Sequence, residues 1–224
     1  MEEAIETKTM QHYPVAGHFT RAAVSSAVEA LLGIGALTLS IIGLAHVVPE
    51  ILLAVSAIIV GTAVLFESGA LAARYAYFTA ESERRRKGWV GAIFFGGTSG
   101  ITLGILGLIG FVPMVLVPVA SMTLGASLLL GSGLNARVNA LEVSRSEEHG
   151  LHLPTASETM PIAFGVQGLV GLGVIGLGLL ALAGLNPVVL SLVAMFSIGG
   201  AVLMDGAIVS RMMSVFAREN REKS

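Results

Sequence analysis

Three acidic residues and one amide stand within otherwise apolar stretches of the chain: Glu29, Glu67, Asp205 and Gln167. An ionisable side chain inside a membrane helix costs several kcal/mol unless it is neutralised or paired, and such residues are candidates for function by default. Carboxylates in this setting can bind protons or small cations. Whether they act together depends on the segments that carry them.

The composition is that of an integral membrane protein. Of the 224 residues, 54% are hydrophobic and only 12% are charged, and the mean hydropathy is +0.83. An average soluble domain has about twice that share of charged residues. The net charge of −2 gives no reason to expect nucleic acid as a partner. Because the chain has no cysteine, thiol catalysis, disulfides and zinc–thiolate sites are excluded.

Three apolar blocks cover most of the chain, at residues 22–73, 88–136 and 159–204. A membrane helix needs roughly 20 apolar residues, so each block is about two spans long. Proline interrupts each block near its middle, and it disfavours helix because it lacks an N–H and restricts the residue before it. The blocks therefore predict tight turns between paired helices, at Pro49, Pro113 and Pro187.

An internal repeat relates the three turns. Shifts of 64 and 138 positions superpose Pro49 on Pro113 and Pro187, and without gaps they superpose two sets of glycines. The sets are Gly33, Gly97 and Gly171 in the first helix of each unit, and Gly61, Gly125 and Gly199 in the second. Since each unit holds two spans, all copies insert with the same orientation and are related by an axis along the membrane normal.

The sequence thus predicts an all-α integral membrane protein of six transmembrane helices, arranged as three parallel hairpin repeats around a pseudo-threefold axis. The predicted spans are 22–47, 50–73, 89–111, 114–136, 161–184 and 188–211. The predicted hairpin repeats are 22–74, 89–137 and 161–213. The remaining segments are a polar cytoplasmic N-terminal segment (1–21), a basic cytoplasmic loop (75–88), a polar cytoplasmic loop (138–160) and a cytoplasmic tail (214–224).

All thirteen Lys and Arg residues fall on one side of this six-helix topology, and the three proline turns contain none. The positive-inside rule places the basic side in the cytoplasm. The sequence therefore predicts a multi-pass protein of the bacterial inner membrane with both termini in the cytoplasm.

Glycines that would let helix backbones approach closely are concentrated in the first helix of each predicted hairpin. The third span carries a row of three, Gly96, Gly100 and Gly104, while Gly33 and Gly171 lie in the first and fifth spans. Lipid gives no hydrophobic drive for helix association, so small residues mark the packing faces of membrane helices. We therefore predict that the first helix of each hairpin is the inner, more tightly packed one.

The intramembrane acids share one predicted depth. Glu29, Glu67 and Asp205 each lie six to eight residues from an arginine at the cytoplasmic end of their helix. At about 1.5 Å per residue, this places them roughly 9–12 Å from the cytoplasmic arginines. In one interpretation each acid reaches towards the interface and pairs with an arginine or a helix end. In the other, the three acids and Gln167 face one cytoplasmic-side cavity and handle protons or cations.

The repeat relates these polar positions to one another. The shift that takes Glu67 to Asp205 also takes Glu29 to Gln167, so the first and third units carry a matched polar pair. In the second unit the corresponding residues are Ile93 and Gly131.

The repeat pattern resembles the HdeD-like family of bacterial acid-resistance membrane proteins, whose short two-helix repeats have a proline turn and a later Asp-Gly. The third unit is the most similar, with Asn186-Pro187 and Asp205-Gly206. The first unit has Val48-Pro49 and a looser Glu67-Ser68-Gly69, and the second has Pro113 but Gly131 in place of the acid. The resemblance covers roughly residues 22–213. It implies a role in acid or envelope stress in the inner membrane and transfers no catalytic residues.

Three hypotheses for the function follow. The first is a non-enzymatic, HdeD-like inner-membrane protein that supports tolerance of acid or envelope stress. The second is a small proton, cation or solute transporter or channel that uses the layer of Glu29, Glu67 and Asp205. The third is an accessory subunit of a larger membrane complex. Since the sequence offers no nucleophile with a base, no metal cluster and no phosphate loop, we expect no enzymatic activity, cofactor or metal. The expected partners are the lipid bilayer and either a second copy of the chain or a membrane complex.

Overall fold

The computed structural model describes residues 15–78, 83–148 and 156–222. These ranges contain six helices and no strand: α1 (Val15–Leu44), α2 (Pro49–Phe78), α3 (Glu83–Leu108), α4 (Pro113–Glu148), α5 (Ala156–Leu182) and α6 (Pro187–Glu222). Each helix contains a stretch that is long and apolar enough to cross a membrane. The predicted all-helical fold with six membrane-length helices is therefore confirmed. Parts of the predicted N-terminal segment, of both cytoplasmic loops and of the tail lie outside the described residues.

The three tight turns share one backbone geometry. Each has two positions with positive φ, namely His46 and Val48, Gly110 and Val112, and Gly184 and Asn186. In every turn one N–H donates to the carbonyl three residues back and the next N–H donates five residues back, which is the bond pair of a Schellman helix cap. A proline then begins the following helix, at a position where its missing N–H has no intrahelical acceptor to lose.

The helices pack as a closed ring. Each helix packs against its neighbours in sequence, and α1 packs against α6, which closes the ring. In addition α2, α4 and α6 pack against one another, whereas α1, α3 and α5 make no such mutual contacts in the described part of the chain. The second helix of each hairpin is therefore the inner one. The prediction that the first, glycine-rich helix is the inner one is wrong.

Side-chain burial shows the same division between inner and outer helices. Val60 of α2, Leu124 of α4 and Ile198 of α6 are each at most 1% exposed. The outer helices instead present Leu31, Phe95 and Leu169, with exposed fractions of 68%, 73% and 70%. Because an apolar side chain is as stable against lipid as against protein, hydrophobicity could not reveal which helix is central. The glycines of the outer helices mark where these helices approach their neighbours closely, and they do not mark a central position.

Glycine pairs occupy the crossings between successive hairpins: Gly61 with Gly97, Gly125 with Gly171, and Gly199 with Gly33. A Cβ added to the outer-helix member of each pair would lie 2.7–2.9 Å from the carbonyl oxygen of the inner-helix member. No side chain fits at that distance from a backbone, so these glycines set how closely the helices approach.

The glycine row of α3 packs against two helices. Gly96, Gly100 and Gly104 are all buried. Added Cβ atoms on Gly96 and Gly100 would collide with the Ser127 and Leu124 side chains of α4, whereas one on Gly104 would lie 2.9 Å from a backbone oxygen of α2. The row therefore seats α3 between its own hairpin partner and the preceding hairpin.

Candidate functional site: the intramembrane polar cluster

A hydrogen bond links two of the polar residues within the membrane-length helices. Nε2 of Gln167 on α5 donates to Oε1 of Glu67 on α2, at 3.1 Å. Gln167 is buried, with 2% of its surface exposed. The bond joins the first hairpin to the third, and a bond of this kind between membrane helices contributes about 1 kcal/mol.

The other two acids complete a group around Glu67. Glu29 on α1 lies within electrostatic range of Glu67, and Asp205 on α6 lies within range of both. All three acidic side chains are partly buried. The structure thus brings together, from four helices, the three acids that the sequence places at one depth and Gln167, the repeat counterpart of Glu29. We refer to Glu29, Glu67, Gln167 and Asp205 as the polar cluster.

Several hydroxyl groups in the spans donate hydrogen bonds to their own helix. The hydroxyls of Thr62, Thr98 and Ser197 each donate to the carbonyl four residues earlier. Three buried polar atoms make no hydrogen bond within the described part of the chain, namely the hydroxyl oxygens of Ser40 and Ser191 and Oε1 of Gln167. The polar cluster therefore contains one buried acceptor atom that the described protein leaves unused.

In the second hairpin, Gly131 and Ile93 occupy the repeat positions that carry polar residues in the other two hairpins, and Gly131 lies beside Glu67. A Cβ added to Gly131 of α4 would be 3.3 Å from Oε1 of Glu67 and 4.0 Å from Cδ1 of Ile93. Ile93 of α3 is fully buried. The sequence identifies Gly131 only as a departure from the repeat, whereas the structure places it against the carboxyl group. The signal for this was the stacking of Glu67, Gly131 and Asp205 at one repeat position.

The polar cluster has the chemistry of a proton or small-cation site. Its three carboxyl groups and the free amide oxygen are acceptors, and the Gln167 amide, which donates to Glu67, carries no charge that could neutralise them. Carboxylates inside a bilayer are stable only when a proton, a cation or a basic side chain offsets their charge. The nearest basic residues along the same helices are Arg74, which follows Glu67, and Arg211, which follows Asp205. The side chains of both arginines lie outside the described part of the chain.

A metal site would require at least three ligating side chains that converge on one point. Among the described residues, no three His, Asp or Glu side chains converge in a way that could hold a metal ion.

No family model matches the chain, and no curated protein or solved structure is significantly similar to it. Membership of the HdeD-like family thus stays a prediction from the repeat pattern.

Proposed function

We propose that this chain is a membrane protein that takes up and moves protons through the polar cluster. The observation that carries the proposal is the hydrogen bond between Glu67 and Gln167, with Glu29 and Asp205 in electrostatic range of Glu67. Three acids gathered at one place in a bilayer need a neutralising partner, and a proton is the smallest one available from the aqueous phase. Protons exchange at this cluster with the nearer, cytoplasmic side of the membrane.

The proposed setting of this chemistry is the bacterial inner membrane, with both termini in the cytoplasm. The restriction of Lys and Arg to one side of the six-helix topology supports this orientation. Proton uptake on the cytoplasmic side is also the chemistry that an acid-stress role would use, which is the non-enzymatic role that the HdeD-like resemblance implies.

We further propose that the six helices are three parallel hairpin repeats around a pseudo-threefold axis. Three features support it: the common geometry of the turns, the glycine pairs at successive crossings, and the contact among α2, α4 and α6. In that arrangement the polar cluster is where the repeat departs from threefold symmetry, since two units supply polar residues and one supplies Ile93 and Gly131.

Proteoliposomes with an internal pH-sensitive dye test the proposed function. Under an imposed pH gradient, the parent protein should dissipate the gradient faster than empty liposomes. Glu67→Gln should reduce the rate to that of empty liposomes, because the amide keeps an acceptor for Gln167 but binds no exchangeable proton. Glu50→Gln is the matched control, since Glu50 is exposed beside the first turn, and it should conduct like the parent. A parent protein that leaks no faster than empty liposomes would count against proton transport.

A second candidate function is that of a subunit in a larger membrane assembly. For Gly165, Gly173 and Gly176 of the outer helix α5, an added Cβ would meet no atom of another described helix within 4 Å. Small residues on an outer face allow a further membrane helix to approach closely. If this face binds a second copy of the chain, Gly173→Leu should convert a detergent-solubilised oligomer to a monomer in sedimentation. A parent that sediments as a monomer contradicts self-association.

A further inference from the structure

The hydrogen bond in the polar cluster joins two helices that are not neighbours. No Cα of α2 lies within 8 Å of a Cα of α5 in the described part of the chain, whereas α4 and α6 each pack against both. The Glu67 side chain therefore reaches Gln167 past these two helices. On the α4 side it passes at Gly131, where an added Cβ would lie 3.3 Å from Oε1 and 3.9 Å from Cδ of Glu67.

This contact explains why glycine suits position 131. A Cβ there would press on the carboxyl group more closely than ordinary van der Waals contact allows, and a branched side chain would occupy its path. Gly133, two residues further along α4, provides the contrast, because an added Cβ there meets nothing within 4 Å. Close packing around Gly131 is thus specific to the approach of Glu67.

Electrostatic repulsion between carboxylates also favours glycine over an acidic residue at position 131. At the corresponding repeat position the first and third hairpins carry Glu67 and Asp205. With Glu29 these give the polar cluster three carboxyl groups, so an acid at 131 would add a fourth, in direct contact with that of Glu67. Glu29 from α1 and Asp205 from α6 both lie within electrostatic range of Glu67. The second hairpin contributes the fully buried Ile93 and Gly131, which has no side chain.

We propose that Gly131 is a positioning residue for the polar cluster: its missing side chain opens the passage through which Glu67 reaches Gln167. Gln167 then receives its hydrogen-bond partner across α4, and Glu67 is held in the layer shared with Glu29 and Asp205. The structural part of this proposal stands on the contacts alone, while its effect on transport rests on the proposed proton function.

Infrared difference spectroscopy of the purified protein in lipid tests the structural part. The carboxyl bands of Glu67 are isolated by subtracting the spectrum of the Glu67→Gln form of each variant. In the parent, Gln167→Ala should shift these bands, because it removes the hydrogen bond. In Gly131→Val the bands should already lie at the shifted position, and adding Gln167→Ala should change them no further.

The same infrared bands of Glu67 provide the control and the result that would contradict the proposal. Gly133→Val adds the same side chain to the same helix at an open position and should leave the Glu67 bands as in the parent. If Gly131→Val does not fold, Gly131→Ala replaces it, and a smaller shift in the same direction is expected. Bands of Glu67 that match the parent in the Gly131 variant would overturn the proposal.

Proton flux in proteoliposomes separates this proposal from the proposed function. If the parent conducts protons, Gly131→Val should lose most of the flux while Gly133→Val retains it. A Gly131→Val protein that conducts like the parent would overturn the effect on transport. A parent that does not conduct refutes the proton function, and the infrared bands still decide whether Gly131 positions Glu67.

Discussion

Gly33 of α1 and Gly199 of α6 lie backbone to backbone where the first and last helices meet. A Cβ added to Gly33 would lie 2.9 Å from the carbonyl oxygen of Gly199 and 2.8 Å from the backbone nitrogen of Leu203. This contact closes the ring of six helices. It joins the first hairpin to the third.

Gly33→Ala should lower the free energy of unfolding by about 1–3 kcal/mol, the range for overpacking a close-packed site. The atoms that the new methyl group meets are backbone atoms of α6, which cannot rotate away as a side chain can. Gly35→Ala on the same helix is the control, because its Cβ would meet only side-chain atoms of Ile59, at 3.8 Å. Thermal unfolding in detergent compares the two, and equal melting temperatures would contradict the close-crossing argument.

At the first of its two positive-φ positions, the first turn carries backbone strain that the other two turns avoid. His46 has φ of 65°, at the position that Gly110 and Gly184 occupy in the later turns. A non-glycine residue in the left-handed region costs roughly 1–2 kcal/mol. His46→Gly should therefore stabilise the protein by about 1 kcal/mol, and Gly184→Ala should destabilise it by a similar amount. Chemical unfolding in detergent measures both changes, and destabilisation by His46→Gly would show that the imidazole makes a compensating contact.

The surroundings of Glu67 should tolerate a further polar group better than a further charge. Ile93 is fully buried next to Gly131 and corresponds to Glu29 and Gln167 in the repeat. Ile93→Glu at neutral pH should destabilise the protein by about 2–3 kcal/mol more than Ile93→Gln, the additional cost being that of a charge within the membrane. Melting temperatures of the two near-isosteric variants measure this difference. If they melt together, the added carboxyl group is protonated, or has access to water or to a basic partner.

Cysteine labelling tests the orientation in the membrane. The native chain has no cysteine, so single substitutions report without background. Leu185→Cys, at an exposed position in the third turn, should react with a membrane-impermeant thiol reagent in intact cells. Asn220→Cys, near the end of α6, should react only after the cells are permeabilised. Labelling of Asn220→Cys in intact cells would reverse the orientation inferred from the basic residues.

The number of helices and the positions of the turns could be predicted from the sequence because both depend on local chemistry. Bilayer thickness sets the length of each apolar helix. Pro49, Pro113 and Pro187 each begin a helix, where the missing N–H costs no hydrogen bond, whereas Pro118 lies inside α4 and marks no turn. The common depth of Glu29, Glu67 and Asp205 also followed from counting, since the rise per residue of a helix is fixed.

Counting along the chain could not show which side chains meet. Glu67 and Gln167 are 100 positions apart on helices whose described Cα atoms do not come within 8 Å, so their hydrogen bond depends on how α4 and α6 pack against both. Lipid and protein interior are equally apolar, and hydropathy therefore carries no information about which helix is central. Only the packing of the backbones placed the second helices inside. Only that packing shows that Gly131, where the repeat lacks an acid, leaves the space through which the Glu67 side chain passes.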